Sequence, residues 1–395
     1  MKGKVNMKYN FDQPVNRRGT WSMKWDVSEN ELPMWVADMD FETAPEVKEA
    51  IRKRAQHGAF GYTIVPDEWY QAIQNWWQER YHFQMNREWM IFCTGVVPAI
   101  SSIVRKMTTV AEKIVLLTPV YNIFFNSVVN NGRYVTECPL IYADGRYNID
   151  FPLLERKLSD PQTTMLIFCN PHNPVGKIWS SETMKKVGEL CARYHVLVVS
   201  DEIHCDLTEP GSSYIPFASV SDTCRENSIT CIAPTKSFNL AGLQTAAVVV
   251  PNENLRHKVW RGLNTDEAAE PNVFAMTAAI TAWTQGGVWL DELRDYLFQN
   301  RRAAAEYLQK HIPEIVLVPS GATYLLWIDC RGITGNAEEL AEYIRQETGL
   351  YLCAGVEYGK AGEGFLRMNI ACTRETMMQG LYRLKAGINQ YAAKK

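Results

Sequence analysis

None of the ten cysteines stands in a C-x-x-C spacing; they are scattered irregularly from Cys93 to Cys372. That pattern argues against a zinc knuckle or a disulfide framework and fits small buried thiols in a reducing compartment. The seven histidines show no metal-ligand spacing, so no metal centre is expected. Apolar runs stay well short of the ~18 residues of a membrane span. The net charge of -3 gives no broad attraction to nucleic acid or anionic lipid. Repeats and low-complexity linkers are missing too. The opening Met-Lys-Gly-Lys-Val-Asn-Met-Lys has no apolar core of the kind a signal peptide carries, so a cytoplasmic location is expected.

What is present is an ordinary globular composition, 46% hydrophobic and 22% charged, over 395 residues. That length supports a large core and more than one domain. Residues 1–43 are aromatic, proline-bearing and charged with little periodicity, and read as an arm. A helix is expected over Ala44–His57, with Thr43 as N-cap and Pro45 in its first turn. From there to 286, apolar runs alternate with helical stretches. Met90–Cys93, Lys113–Leu117, Thr164–Cys169, Val196–Ser200 and Ser228–Ala233 read as buried strands. This predicts an α/β fold with a mostly parallel sheet covered on both faces. A long helix from Gly287 to about His311 leads into a smaller α+β region with a helix over Ala337–Thr348 capped by Asn336. The expected division is an arm over 1–43 that joins the small domain, a large domain over 44–286 and a small domain over 287–395.

Lys236 follows the Ser228–Ala233 run, and a lysine just past a strand end points toward a cleft. Such a lysine can lose its proton and form a Schiff base with an aldehyde such as pyridoxal 5′-phosphate (PLP). Other unusual polar residues fall after the other strands: Thr94-Gly95-Val96-Val97, Thr118-Pro119-Val120-Tyr121, Asn173 in the 170–176 turn, and Asp201. Ligands bind beyond the carboxyl ends of parallel strands. Gly95 and the helix after it offer free N–H groups to a phosphate. Tyr121 offers a stacking face, Asn173 a partner for a phenolic oxygen or a carboxylate, and Asp201 a partner for a pyridine nitrogen. Singly, each has an ordinary alternative: a turn lysine, a βα turn, a core tyrosine, a proline-bracketed turn, a helix N-cap. Asp38 and Asp40 are expected to cap the following helix, with a place lining the entrance as the alternative. The glycine-rich 359–364 segment precedes a strand, so it does not fit a dinucleotide loop; it is expected to be a mobile loop beside Arg367.

Asn-Pro-His-Asn-Pro-Val-Gly (170–176), Asp-Glu-Ile-His-Cys-Asp (201–206) and Pro-Thr-Lys-Ser-Phe-Asn-Leu-Ala-Gly (234–242) resemble fold-type I PLP enzymes. Met-Trp-Val-Ala-Asp-Met-Asp-Phe (34–41), His-Gly-Ala-Phe-Gly-Tyr (57–62), Thr-Gly-Val-Val-Pro-Ala (94–99) and Phe-Leu-Arg-Met-Asn-Ile-Ala (365–371) narrow the resemblance. The chain is similar to the MalY/PatB-type cystathionine β-lyases, a C–S lyase branch near the class I/II aminotransferases. The resemblance implies PLP as cofactor and Lys236 as its Schiff-base lysine. Asp201 would pair with the ring nitrogen, Asn173 with the ring hydroxyl, and Tyr121 would stack. Val96, Val97 and Thr235 would hold the phosphate. Tyr62 would reach the neighbouring subunit's phosphate, which implies a homodimer with shared active sites. Arg367 would clamp the substrate carboxylate, and Trp35 would sit at the entrance.

Two positions depart from the aminotransferase pattern. Gln244 stands where a phosphate-binding arginine is usual, and His204 where a tyrosine usually touches the ring hydroxyl. Both favour the lyase branch. The expected activity is α,β-elimination of an amino acid with a β-sulfur, such as cystathionine. An aminotransferase and a PLP-binding regulatory protein without turnover are the alternatives.

Overall fold

A computed structural model describes residues 8–394. The first seven positions of the expected arm, and nearly all of the segment tested for a signal peptide, lie outside the described residues. The centre of the fold is a seven-stranded sheet. In spatial order its strands are Met90–Cys93, Ala246–Val249, Ser228–Ile232, Leu197–Asp201, Thr163–Cys169, Lys113–Leu116 and Tyr134–Glu137. All pairings are parallel except the two made by Ala246–Val249.

Apart from the edge strand Tyr134–Glu137, both faces are buried, which is why the other strands read as continuous apolar runs. Along one strand, Met165, Ile167 and Cys169 join one hydrophobic cluster while Leu166 and Phe168 join another on the opposite face. Each such side chain contributes roughly 1.5–3 kcal/mol when fully buried. The strands end together, so the residues after Cys93, Leu116, Cys169, Asp201 and Ile232 meet along one edge.

A four-stranded antiparallel sheet forms a second body: Val316–Leu317, Leu325–Asp329, Phe365–Asn369 and Cys353–Ala354. Leu32–Pro33 pairs in parallel with Leu350–Tyr351, and Leu32 and Met34 pack in this body's core. The helix Gly287–His311 spans both bodies. Its first half (Trp289, Leu293, Tyr296) packs in one core and its second half (Ala304, Leu308) in the other. No helix among the described residues is long and apolar enough to cross a membrane, and all ten cysteines are buried and free.

Three local expectations need correction. The first helix is Pro45–Gln56, its N-cap is Ala44, and no side chain caps it; the Thr43 hydroxyl is buried without a partner among the described residues. Proline inside the first turn, with its fixed φ and missing N–H, suffices to start this helix. Asp38 and Asp40 cap nothing: both carboxylates are taken by Arg17 and Lys24. The 359–364 loop is packed, not loose. The Tyr358 carbonyl accepts from the Val120 N–H at 2.9 Å. A Cβ added at Gly362 would lie 2.0 Å from the Gly355 carbonyl oxygen, so glycine serves close backbone approach there.

Candidate active site

The common strand edge encloses a cavity of about 250 Å³. It is lined by Thr94 to Pro98, Tyr121, Cys169, Asn173, Asp201, Ile203, His204, Thr235, Lys236, Ala241 and Gln244, with Ala37 entering from the N-terminal segment. The sequence-predicted Gly95, Val96, Val97, Tyr121, Asn173, Asp201, His204, Thr235 and Lys236 are thus together. Arg367 and Trp35 are not on this lining. Arg367 is buried just behind it, with Nη1 donating to Asn173 Oδ1 at 3.4 Å. The Trp35 ring instead stacks on Tyr351, with centroids 4.8 Å apart. Tyr62 is fully exposed and lines a separate surface cleft with Phe60, Leu243 and Phe274.

Each side chain is held by the loop that carries it. The loop after Ser228–Ile232 folds as a tight turn, with Phe238 N–H on the Pro234 carbonyl and Leu240 N–H on the Thr235 carbonyl. Ser237 anchors it by donating to Asp206 Oδ2 at 2.8 Å, and Asp206 is itself fixed by Trp76 and Tyr81. The Asn173 loop is tied to the Tyr121 loop through His172, whose Nε2 lies 2.9 Å from the Pro119 carbonyl. Burial lowers the His172 pKa to about 4, so this ring is neutral and donates from Nε2.

The charges are set by burial first. Desolvation raises Asp201 to about 7, against a lowering by the Ile203 N–H and by Lys236. No helix directly follows Asp201, so it is not a helix cap; its Oδ1 accepts from Ile203 N–H in a local turn at 3.1 Å. Desolvation also lowers Lys236 to about 8, with Arg367 pushing the same way and Asp38 and Asp201 opposing. His204 is driven down to about 3, mainly by burial and then by Lys236 and Arg367. The pocket thus holds a lysine ready to shed a proton, a carboxylate needing a cationic partner, and a neutral imidazole.

Several donors and acceptors here lack protein partners among the described residues. His204 Nδ1 and Arg367 Nε are buried without hydrogen bonds. The helix Val96–Met107 begins at the pocket with no side chain capping its N-terminus, and such a terminus favours an anion. These features fit a flat, phosphorylated pyridine aldehyde: anion site, stacking ring, acid for the ring nitrogen and amine for the aldehyde lie along one cavity. Ala37 was missed by sequence reasoning as a lining residue, although it sits inside the 34–41 motif. Tyr324 and Asn239, which fasten the Ala37 segment, were missed too, although Asn239 sits inside the 234–242 motif.

The chain matches the family described as aminotransferase class I and II over residues 29–384. It is 42% identical over 386 residues to cystathionine beta-lyase PatB of Bacillus subtilis, covering 96% of this chain and all of that protein. Protein MalY of Escherichia coli is 32% identical, with 94% of this chain and 97% of that one covered. Among solved structures, PLP-containing cystalysin from Treponema denticola superposes with a TM-score of 0.94 at 30% identity, covering 97% of this chain and 100% of that one. The PLP-bound C-S lyase from Staphylococcus hominis superposes at 0.91 with 32% identity, covering 98% and 100%. A sheet whose strand ends gather lysine, aspartate, asparagine and an open helix N-terminus, matched along nearly the whole chain, places this protein in the aminotransferase class I and II family, in the branch that includes cystathionine β-lyase PatB.

Proposed function

We propose that this protein is a PLP-dependent carbon–sulfur β-lyase acting on L-cystathionine or a related cysteine S-conjugate. With water, the reaction yields homocysteine or another thiol, pyruvate and ammonia. One observation carries the reading: Lys236, depressed to about 8, shares a pocket with a buried Asp201 and an uncapped helix N-terminus. The cofactor, when bound, supplies an electron sink for charge developing at the substrate α-carbon.

The residues divide the work. Lys236 would hold the cofactor aldehyde and then, released, take the α-proton at Nζ; a base commonly contributes ~10²–10⁴-fold. Asp201 would pair with the pyridine nitrogen, and burial makes that pairing stronger than it would be in water. Asn173 and His204 would face the ring hydroxyl, and Tyr121 its plane. The Val96 and Val97 N–H groups and Thr235 would bind the phosphate, with neutral Gln244 adding no charge. Arg367, planar and buried, would clamp the substrate carboxylate.

The assembly we propose is a homodimer that shares its active sites. Supporting it, Phe60, Tyr62 and Ile64 are all exposed on one loop, and exposed apolar clusters mark interaction surfaces. Ten free, buried thiols support residence in the reducing cytoplasm. The deciding assay supplies L-cystathionine to the PLP-loaded protein with no keto acid present. Stoichiometric pyruvate and homocysteine are expected. Turnover only when a keto-acid acceptor is added would assign an aminotransferase instead.

A further inference from the structure

The segment Trp35–Phe41 is fastened to the pocket by an unusual density of donors. Every carbonyl from Trp35 to Met39 accepts a side-chain hydrogen bond. Arg367 reaches Trp35 at 2.7 Å, and Asn369 reaches Val36 and Asp38 at 2.6 Å each. Tyr324 reaches Ala37 at 3.0 Å, and Arg17 and Asn239 each reach Met39 at 3.0 Å. Asn239, three residues past Lys236, also accepts from Met39 N–H at 3.1 Å and donates to the Phe41 carbonyl at 2.8 Å. The ladder places the Ala37 carbonyl 2.5 Å from Lys236 Nζ.

The far side of this strap is bolted by four charges. Arg17 pairs with Asp38 at 2.7 Å and Asp40 at 3.0 Å. Lys24, 1% exposed, pairs with Asp40 at 2.7 Å and lies 3.9 Å from Asp38. Trp25 Nε1 adds a hydrogen bond to Asp40 at 2.8 Å. Burying such pairs costs desolvation that their attraction only roughly repays. Net stability is therefore a poor reason for the cluster, and geometric definition of the strap is a better one.

We infer that Arg17, Lys24, Asp40 and Asn239 are positioning residues that lock the strap, so that the Ala37 carbonyl is a fixed acceptor for Lys236 when its Nζ carries the proton taken from the substrate. In that step the α-carbon–hydrogen bond breaks, an N–H bond forms on Nζ, and the electron pair stays with the carbon. The new ammonium then needs an acceptor in a site shielded from water. Around it stand the Asp38 and Asp201 carboxyl groups, the Arg367 guanidinium and the His204 ring, whose pKa burial holds at about 3. The inference rests on Lys236 being the base proposed above.

The test is the charge-neutral double variant Lys24→Met/Asp40→Asn. In the full-length cofactor-free chain, the rate of amine labelling at Lys236 by acetic anhydride is followed against pH by peptide mapping. Normalising to the high-pH plateau removes changes in access. Loss of the fixed acceptor should move the midpoint to lower pH and raise normalised labelling at pH 7 about threefold or more. In the PLP-loaded enzyme, kcat should fall about tenfold while KM stays within about threefold. A folded variant whose normalised profile superimposes on the parent's overturns the inference. If the double variant does not fold, Asn239→Gly serves; it tolerates the +55° φ and removes three strap hydrogen bonds without changing charge. The same shift is expected of it, and an unmoved profile counts against the inference in the same way. Failure here is separable from failure of the base assignment, because only the latter lets Lys236→Ala retain elimination.

Discussion

Arg367 Nη2 donates to the backbone carbonyl of Trp35 at 2.7 Å, across 332 residues of sequence. The two residues expected at the substrate end of the pocket do meet, but through the tryptophan's backbone; its ring is turned away onto Tyr351, which Arg345 covers 3.7 Å from the centroid. Arg367 Nη1 lies near Asn173 Oδ1 with its second N–H to spare, and Nε is buried without a partner among the described residues, so both can turn to a ligand.

Replacing Arg367 with lysine keeps the charge and loses the planar fork. Charge-assisted hydrogen bonds are each worth about 1.5–3 kcal/mol. A rise in KM for cystathionine of about tenfold or more is expected, with a smaller effect on kcat. Steady-state kinetics by pyruvate release check this; an unchanged KM would remove Arg367 from substrate binding.

Lys236→Ala should lower elimination by at least ~10²–10⁴-fold, the usual contribution of a general base. Circular dichroism should remain that of the parent. Borohydride reduction of the PLP-loaded parent, followed by peptide mapping, should place the cofactor on Lys236 and on no other lysine.

Asp201 links chemistry to stability. Its folded-state pKa, about 7, is raised above the ordinary aspartate value of 3.8 by burial. The folded state therefore binds the proton more tightly than the unfolded chain does, so the cofactor-free protein loses stability as pH rises through that window. Asp201→Asn removes the penalty, and its amide oxygen can still accept from Ile203 N–H. The variant's Tm advantage over the parent should be small near pH 4, grow toward pH 7 and flatten above it, while elimination activity is lost. Thermal melts across that range check the sign.

Tyr62 lies outside the cavity of its own chain. In a shared-site dimer, Tyr62→Ala and Lys236→Ala subunits, each nearly inactive, should complement when unfolded together and refolded. Random pairing gives half heterodimers with one intact site of two, so about a quarter of parental activity should return. No recovery would mean that each site is built from one chain.

Much of the strand edge was legible in the sequence because it rests on local signals. Apolar runs mark the strands, and the residue after each run must lie at the edge where parallel strands end. That rule alone brings Gly95, Tyr121, Asn173, Asp201 and Lys236 to one place. Asn336 was legible as a cap for the same local reason, and it accepts from Glu339 N–H. Asp38 and Asp40 were misread because their partners, Arg17 and Lys24, belong to an arm without periodicity. Nothing in a linear pattern says which charge a buried carboxylate will meet.

The chain by itself determined the fold class, the strand edge and the lysine: β-branched and aliphatic runs can bury both faces of a sheet, and their ends set the site. Only the tertiary structure decided how the site is electrically set and closed. Burial, a property of the packed molecule, raises Asp201 and lowers Lys236 and His204. The long-range hydrogen bonds of the Trp35–Phe41 strap bring the Ala37 carbonyl to Lys236, 199 positions away, because folding places the arm against the loop that carries the lysine.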